Sequence, residues 1–229
     1  MSAATRREKT EMIPRITTGR RAPFWIAMIV FLLSGGCGVR DSIYLDPGRY
    51  HGTPLSEGAG SRIVFQPFQI GFGEGQLIGR QIRGGHEIDL MTDPFTVTQT
   101  LDTSVQNRLA AKRVQLGGGR GWDFSVAGLG TLPSGTEIVL GGKVTRLWMT
   151  AETGPMLTGT DYVLKMDVEC FIGDIGQRRV DRRTVHLEEK RFEVSHSQKT
   201  MEKLLSDLVT EAAEQVFQSY VEVLGLKGP

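Results

Sequence analysis

Two cysteines, four histidines and one dense run of arginines are the side chains of this 229-residue chain best suited to chemistry. Cys37 has the most telling surroundings. Six basic residues (Arg6, Arg7, Lys9, Arg15, Arg20, Arg21) precede the apolar run Ala22–Leu33, which ends in Ser34-Gly35-Gly36 and then the cysteine. A basic start, a short apolar stretch and small residues make an export signal. The run holds twelve residues, where a membrane-spanning helix needs roughly 20, so a cleaved signal is expected rather than a permanent span. Pro23 and Phe24 fit a twin-arginine signal poorly, and Arg20-Arg21 reads as ordinary positive charge. A thiol behind two glycines is accessible to covalent modification.

The other candidates carry less. If Cys37 is modified, Cys170 has no partner for an internal disulfide. It lies in "YVLKMDVECFIG", where Leu164, Met166, Val168, Cys170 and Ile172 alternate with Lys165, Asp167, Glu169 and Phe171. That period of two places the thiol on the core face of a strand, as a small buried hydrophobe. His51, His86, His186 and His196 are scattered. "HEIDLMTD" gathers His86, Glu87, Asp89 and Asp93 but adds no cysteine or second histidine, so a solvated loop is expected there and no metal. Glycines 71, 73, 75 and 79 miss the spacing of a dinucleotide loop, and "LGGGRGW" lacks the Lys-Ser/Thr of a phosphate loop. No G-x-S-x-G singles out a serine, and Glu188-Glu189 sit beside Lys190 and Arg191 as a salt-laced surface. No catalytic constellation and no cofactor are expected. Arg178, Arg179, Arg182 and Arg183 could contact phospholipid headgroups, lipopolysaccharide phosphates or a partner, although Asp174, Asp181, Glu188 and Glu189 dilute their field.

Composition bounds the class. Residues 1–36 hold six of the 27 basic and two of the 26 acidic residues, so the remainder carries 21 against 24. A slightly acidic product is no nucleic-acid binder. Its 193 residues suit one domain with a core. Three segments are expected: a signal over 1–36, a Gly/Pro/Ser-rich tether over 37–61, and a single α+β domain over 62–229. The tether would span on the order of 25–30 Å as a flexible chain.

Along the domain, "RIVFQPFQI" (62–70) reads as a first strand interrupted by Pro67. A glycine-rich loop over Gly71–Asp93 could hold a short hairpin. "DPFTVTQTLDTSVQNRLAAKRV" (93–114) is helical, with Asp93 as its start and Val97, Leu101, Val105 and Leu109 in one stripe. A short strand is expected near Val126, then three long strands over Thr136–Glu152, about 162–173 and about 178–195. Gly141-Gly142 is expected to mark a bulge or a bend in the first of these. The chain closes on an amphipathic helix bearing Met201, Leu204, Leu205, Leu208, Ala212, Val216 and Tyr220 on one face, capped by Ser195 with Gln198, or by Ser197. The expected fold is an antiparallel sheet of about four to five strands with both helices on one face.

The stretch Leu33-Ser34-Gly35-Gly36-Cys37 resembles the lipobox of bacterial lipoproteins, with the leucine one place further back than usual. That resemblance implies a diacylglycerol on the Cys37 sulfur and cleavage before it; the alternative is an ordinary signal with a chance cysteine. Glycine at 38, where enterobacterial inner-membrane lipoproteins often carry aspartate, implies transfer to the outer membrane. The later pattern resembles the YajG-type small lipoproteins and, more loosely, the auxiliary lipoproteins of lipid-moving ABC transporters. The residues that carry it are "SIYLDP" soon after the cysteine, "NRLAAKRV" at a helix end, "IVLGGKVTRLW" and "YVLKMDVEC" as meandering strands, and the last helix. It implies a non-catalytic accessory or interaction module on the periplasmic face of the outer membrane, held by its lipid and bound to an envelope protein partner such as a transporter complex. A soluble periplasmic small-ligand binder is the competing reading.

Overall fold

The computed structural model describes residues 41–48, 62–72, 76–154 and 158–225. Nine strands and two helices follow one another: β1 Ser42–Leu45, β2 Ile63–Phe65, β3 Gln69–Ile70, β4 Leu77–Arg83, β5 His86–Thr92, α1 Pro94–Ala111, β6 Leu116–Gly118, β7 Ile138–Thr153, β8 Thr160–Asp174, β9 Arg179–Glu193 and α2 Gln198–Val223. A turn of 3-10 helix, Ala127–Thr131, stands where a strand near Val126 was expected.

All strands join one curled sheet with β7 at its heart. On one side β7 pairs antiparallel with β8, and β8 with β9. On the other side it pairs parallel with β2 near its start, β3 at its middle and β4 near its end. Hairpin β4–β5 and the parallel β1 extend the sheet beyond β4. The α+β class holds, but the sheet is larger than four or five strands and mixed rather than antiparallel. The difference lies in the seven-residue strands β4 and β5, where a loop holding at most a short hairpin was expected and of which β4 runs parallel to β7, and in β1, β2, β3 and β6, which run for only four, three, two and three residues. So few residues cannot display a period of two.

The three long strands form as their alternation dictates. Leu164, Met166, Val168, Cys170 and Ile172 of β8 all enter the main core. The hairpin within Gly71–Asp93 turns at Gly84 and Gly85, with φ of +57° and +80°. Two successive left-handed residues are what a tight two-residue hairpin requires, and glycine supplies them without strain. Gly141 and Gly142 do not make a bulge; the register slips between Val144 and Arg146. Gly142 instead leaves space for the Phe68 ring, which would lie 2.0 Å from an added Cβ. Pro67 splits the expected first strand into β2 and β3.

Both helices cover one face of the sheet through the same core. Asp93 caps α1 through the Phe95 N–H (3.0 Å), and Val97, Leu101, Val105 and Leu109 are fully buried. Ser197 caps α2 through the Thr200 N–H (3.1 Å). The whole α2 stripe from Met201 to Tyr220 is buried. On the opposite face, one end is closed by the segment after β6: Trp122, Leu129, Val139 and Phe171 form a second small core, with the Phe124 and Phe171 rings stacked at 4.5 Å. The rest of that face bears polar and charged ladders, among them the Lys165–Glu188 ion pair and the His186–Asp167 hydrogen bond.

Candidate functional site

Cys37 lies outside the described residues. The chain is organised almost immediately after it. Ser42–Leu45 pairs with Asp89–Thr92 of β5, the Asp89 N–H donates to the Asp41 carbonyl (3.0 Å), and Thr92 Oγ1 donates to the Leu45 carbonyl (2.8 Å). Leu45 is fully buried. A tether running unbroken from 37 to 61 is thereby corrected: the sheet takes up residues 42–45. Their alternation over four residues, with Ile43 and Leu45 inward, was too short to outweigh the glycines and prolines around it.

The start of β1 defines one end of the domain. Ser42 stands level with Asp89, Arg80, Thr150, Val163 and Lys190 across the sheet. Beyond that level lie the β4–β5 turn (Arg83, His86), the last residues of β9 (Phe192, Glu193), the bend at Val194 and the start of α2. Curling of the sheet brings α2 back to β1, where Gln198 Nε2 donates to the Tyr44 carbonyl (2.8 Å). A shallow open groove of about 370 Å³ runs between the end of β9 and the first turns of α2, edged by Arg191, Glu193, Lys199 and Lys203. Arg191 is held by Glu189 at 2.6 Å. Nearby, Tyr162 Oη and His196 Nδ1 share a 2.7 Å hydrogen bond. Burial lowers the His196 pKa, with Arg83 adding in the same sense, and burial raises that of Tyr162. A neutral imidazole against a neutral phenol pins the β9–α2 bend. His196 reads in the sequence only as one of four scattered histidines, and Tyr162, Phe192 and Val194 carry no signal there, because only the sheet register brings their segments together.

The arginine run sits at the other end. Arg179 pairs with Asp174 across the β8–β9 turn, eleven residues along β9 from Lys190, or about 36 Å at the rise of a strand. Strand alternation also divides it: Arg182 reaches Glu169 on the open face, whereas Arg183 reaches Glu222 of α2 on the helical face. Arg179 forms a two-pronged pair with Asp181. Arg178, with φ of +51°, belongs to the turn. The four do not form one surface.

The acids of "HEIDLMTD" are also accounted for by structure. Glu87 and Asp89 face Arg80 at 3.4 and 3.7 Å, and Asp93 is the α1 cap. The segment is a strand, not a loop, and among the described residues no three metal-ligating side chains gather.

Chemically unusual groups occur under the helices instead. Asp102 on α1 accepts the Phe68 N–H at 2.8 Å. Burial drives its pKa up to about 8, against the opposing effect of that hydrogen bond. Tyr220 donates to the Gly141 carbonyl at 2.7 Å, and burial holds its phenol well above the ordinary value. Cys170 is fully buried, and loss of hydration pushes its thiol up to about 12, with Arg183 pulling slightly the other way. A thiol that stays protonated is an inert packing group. Helical spacing puts Asp102 next to Leu101 and gives no hint that Phe68 will close over it.

No family model matches the chain, and no curated protein does. Solved structures do resemble it. A Xanthomonas campestris protein of the family DUF330 is similar over 80% of this chain and 96% of its own, at 11% identity and a TM-score of 0.45. A minor lipoprotein from Acinetobacter baumannii is similar over 70% and 93%, at 13% identity and a TM-score of 0.37. Lipoprotein GNA1162 from Neisseria meningitidis is similar over 70% and 99%, at 12% identity and a TM-score of 0.32. Among the described residues no helix is long and apolar enough to cross a membrane.

Proposed function

We propose that this chain is a lipid-anchored bacterial envelope protein that works through contacts rather than through a reaction. The observation that carries this reading is the N-terminal pattern of basic residues, a twelve-residue apolar run and Ser34-Gly35-Gly36 leading into Cys37. Two or more acyl chains, at about 0.8 kcal/mol per buried methylene, hold a protein stably on a bilayer. The start of β1 five residues later supports the same reading, since a folded domain so close to the cysteine is delivered directly to the membrane surface. By resemblance to YajG-type and transporter-auxiliary lipoproteins, its place is the periplasmic face of the outer membrane. Its role there is accessory to an envelope protein complex, including one that moves lipid or polymer.

Metabolic labelling with a radioactive fatty acid tests the anchor. The wild type is expected to incorporate label and Cys37→Ala to lose it and leave the membrane fraction. An unlabelled wild type that keeps its full N-terminus would refute the anchor. Affinity capture from detergent-solubilised membranes tests the accessory role; recovery of the protein alone at its native level would refute it.

A further inference from the structure

We propose that the end of the domain carrying Phe192 and Val194 is a membrane-contact face, and that these two side chains enter the headgroup region of the bilayer to which Cys37 is tied. The inference rests on the lipid anchor proposed above, and the length of chain between anchor and fold leads to it. Five residue steps separate Cys37 from Ser42, which fully extended reach at most about 18 Å. The bilayer surface therefore lies within that distance of the start of β1.

The parallel pairing of β1 with β5 fixes which end of the sheet this is: the end with the β4–β5 turn, the close of β9 and the start of α2. Two large apolar side chains stand in the open there. Phe192, the penultimate residue of β9, is 58% exposed, and Val194, in the bend just after the strand, is 78% exposed. Val194 precedes by four residues Gln198, which is bonded to the Tyr44 carbonyl, so at most about 14 Å of chain separates it from the residue that touches the strand leading to the anchor.

Apolar contact, more than charge, supplies the attraction. Arg83, Lys199 and Lys203 are exposed at this end, but Glu152, Asp161 and Glu193 offset them. An aromatic and a branched aliphatic side chain flanked by long cations suit the boundary between headgroups and acyl chains, where apolar groups are buried ≈ 5–10 Å deep. The opposite end, with Arg178 and Gln177 in the β8–β9 turn, stands away from the bilayer.

The test uses the full-length, naturally processed protein in phospholipid vesicles. Cys170 is buried and the Cys37 sulfur is occupied by its lipid, so single cysteines can be labelled with an environment-sensitive fluorophore. Val194→Cys and Lys199→Cys report the proposed contact end; Gln177→Cys reports the far end. All three positions are exposed, and circular dichroism checks the fold of each variant. Mass spectrometry of each sample first establishes the acylated N-terminus. The expected result is blue-shifted emission at position 194, with quenching by lipids spin-labelled near the headgroup several-fold stronger at 194 and 199 than at 177. Equal quenching at the two ends of an acylated protein overturns the contact while leaving the anchor intact. An unacylated N-terminus overturns both.

Discussion

Replacing Asp102 with asparagine should make the protein more stable at pH 8 and leave it nearly unchanged at pH 4. The carboxyl group lies under α1, its Oδ1 2.8 Å from the Phe68 nitrogen, with no cation among its pKa determinants. Burial raises its pKa from 3.8 to about 8. In the unfolded chain the group ionises near pH 4; in the folded protein it holds its proton until about pH 8. Between those values the folded state binds more protons than the unfolded one, so stability falls as pH rises through this window and levels off above it. At 1.36 kcal/mol per unit the shift corresponds to a ceiling of roughly 6 kcal/mol. Asp102 keeps some solvent exposure, so about 2–3 kcal/mol is the expected loss. Asparagine retains the acceptor for the Phe68 N–H and cannot ionise. Urea unfolding followed by tryptophan fluorescence from pH 4 to pH 9 should show the difference between variant and wild type opening from near zero to about 2–3 kcal/mol in favour of the variant. Parallel curves, or a variant less stable at pH 8, would refute the placement of an uncompensated carboxyl in this core.

Three further outcomes follow from the packing. Gly79→Ala would set a Cβ 1.8 Å from the Met149 carbonyl oxygen; the backbone of β7 cannot yield, so thermal unfolding should show a loss of about 3 kcal/mol or more. Tyr220→Phe removes the hydrogen bond to the Gly141 carbonyl and leaves that oxygen buried, which should cost about 1–3 kcal/mol in urea unfolding. Cys170 should resist thiol reagents at pH 8 in the native protein and react fully once it is unfolded, as its burial and raised pKa require; rapid native labelling would contradict its position in the core.

Long elements were legible because their periods repeat often enough to be read. The stripe Val97–Leu109, the alternation of Leu164 through Ile172, and the α2 face from Met201 to Tyr220 all lie buried as expected. Short strands were not, since two to four residues carry no period, and β1 was hidden in a stretch whose glycines and prolines outnumber its inward-facing Ile43 and Leu45. The arginine run looked like one patch because residues adjacent in sequence look adjacent in space; on a strand, Arg182 and Arg183 point to opposite faces and meet Glu169 and Glu222.

What the sequence determined by itself is the α+β class, through long amphipathic elements, and the N-terminal pattern ending at Cys37 on which the proposed anchor rests. These depend on local composition and on spacing along the chain. Only the tertiary structure decided the parallel crossovers to β7, the burial of Asp102 beneath the Phe68 segment, and the gathering of Ser42, Phe192, Val194 and Gln198 at one end. Each of these joins residues between 34 and 154 positions apart, and such pairings are chosen by the curl and register of the whole sheet, which no local stretch of sequence encodes.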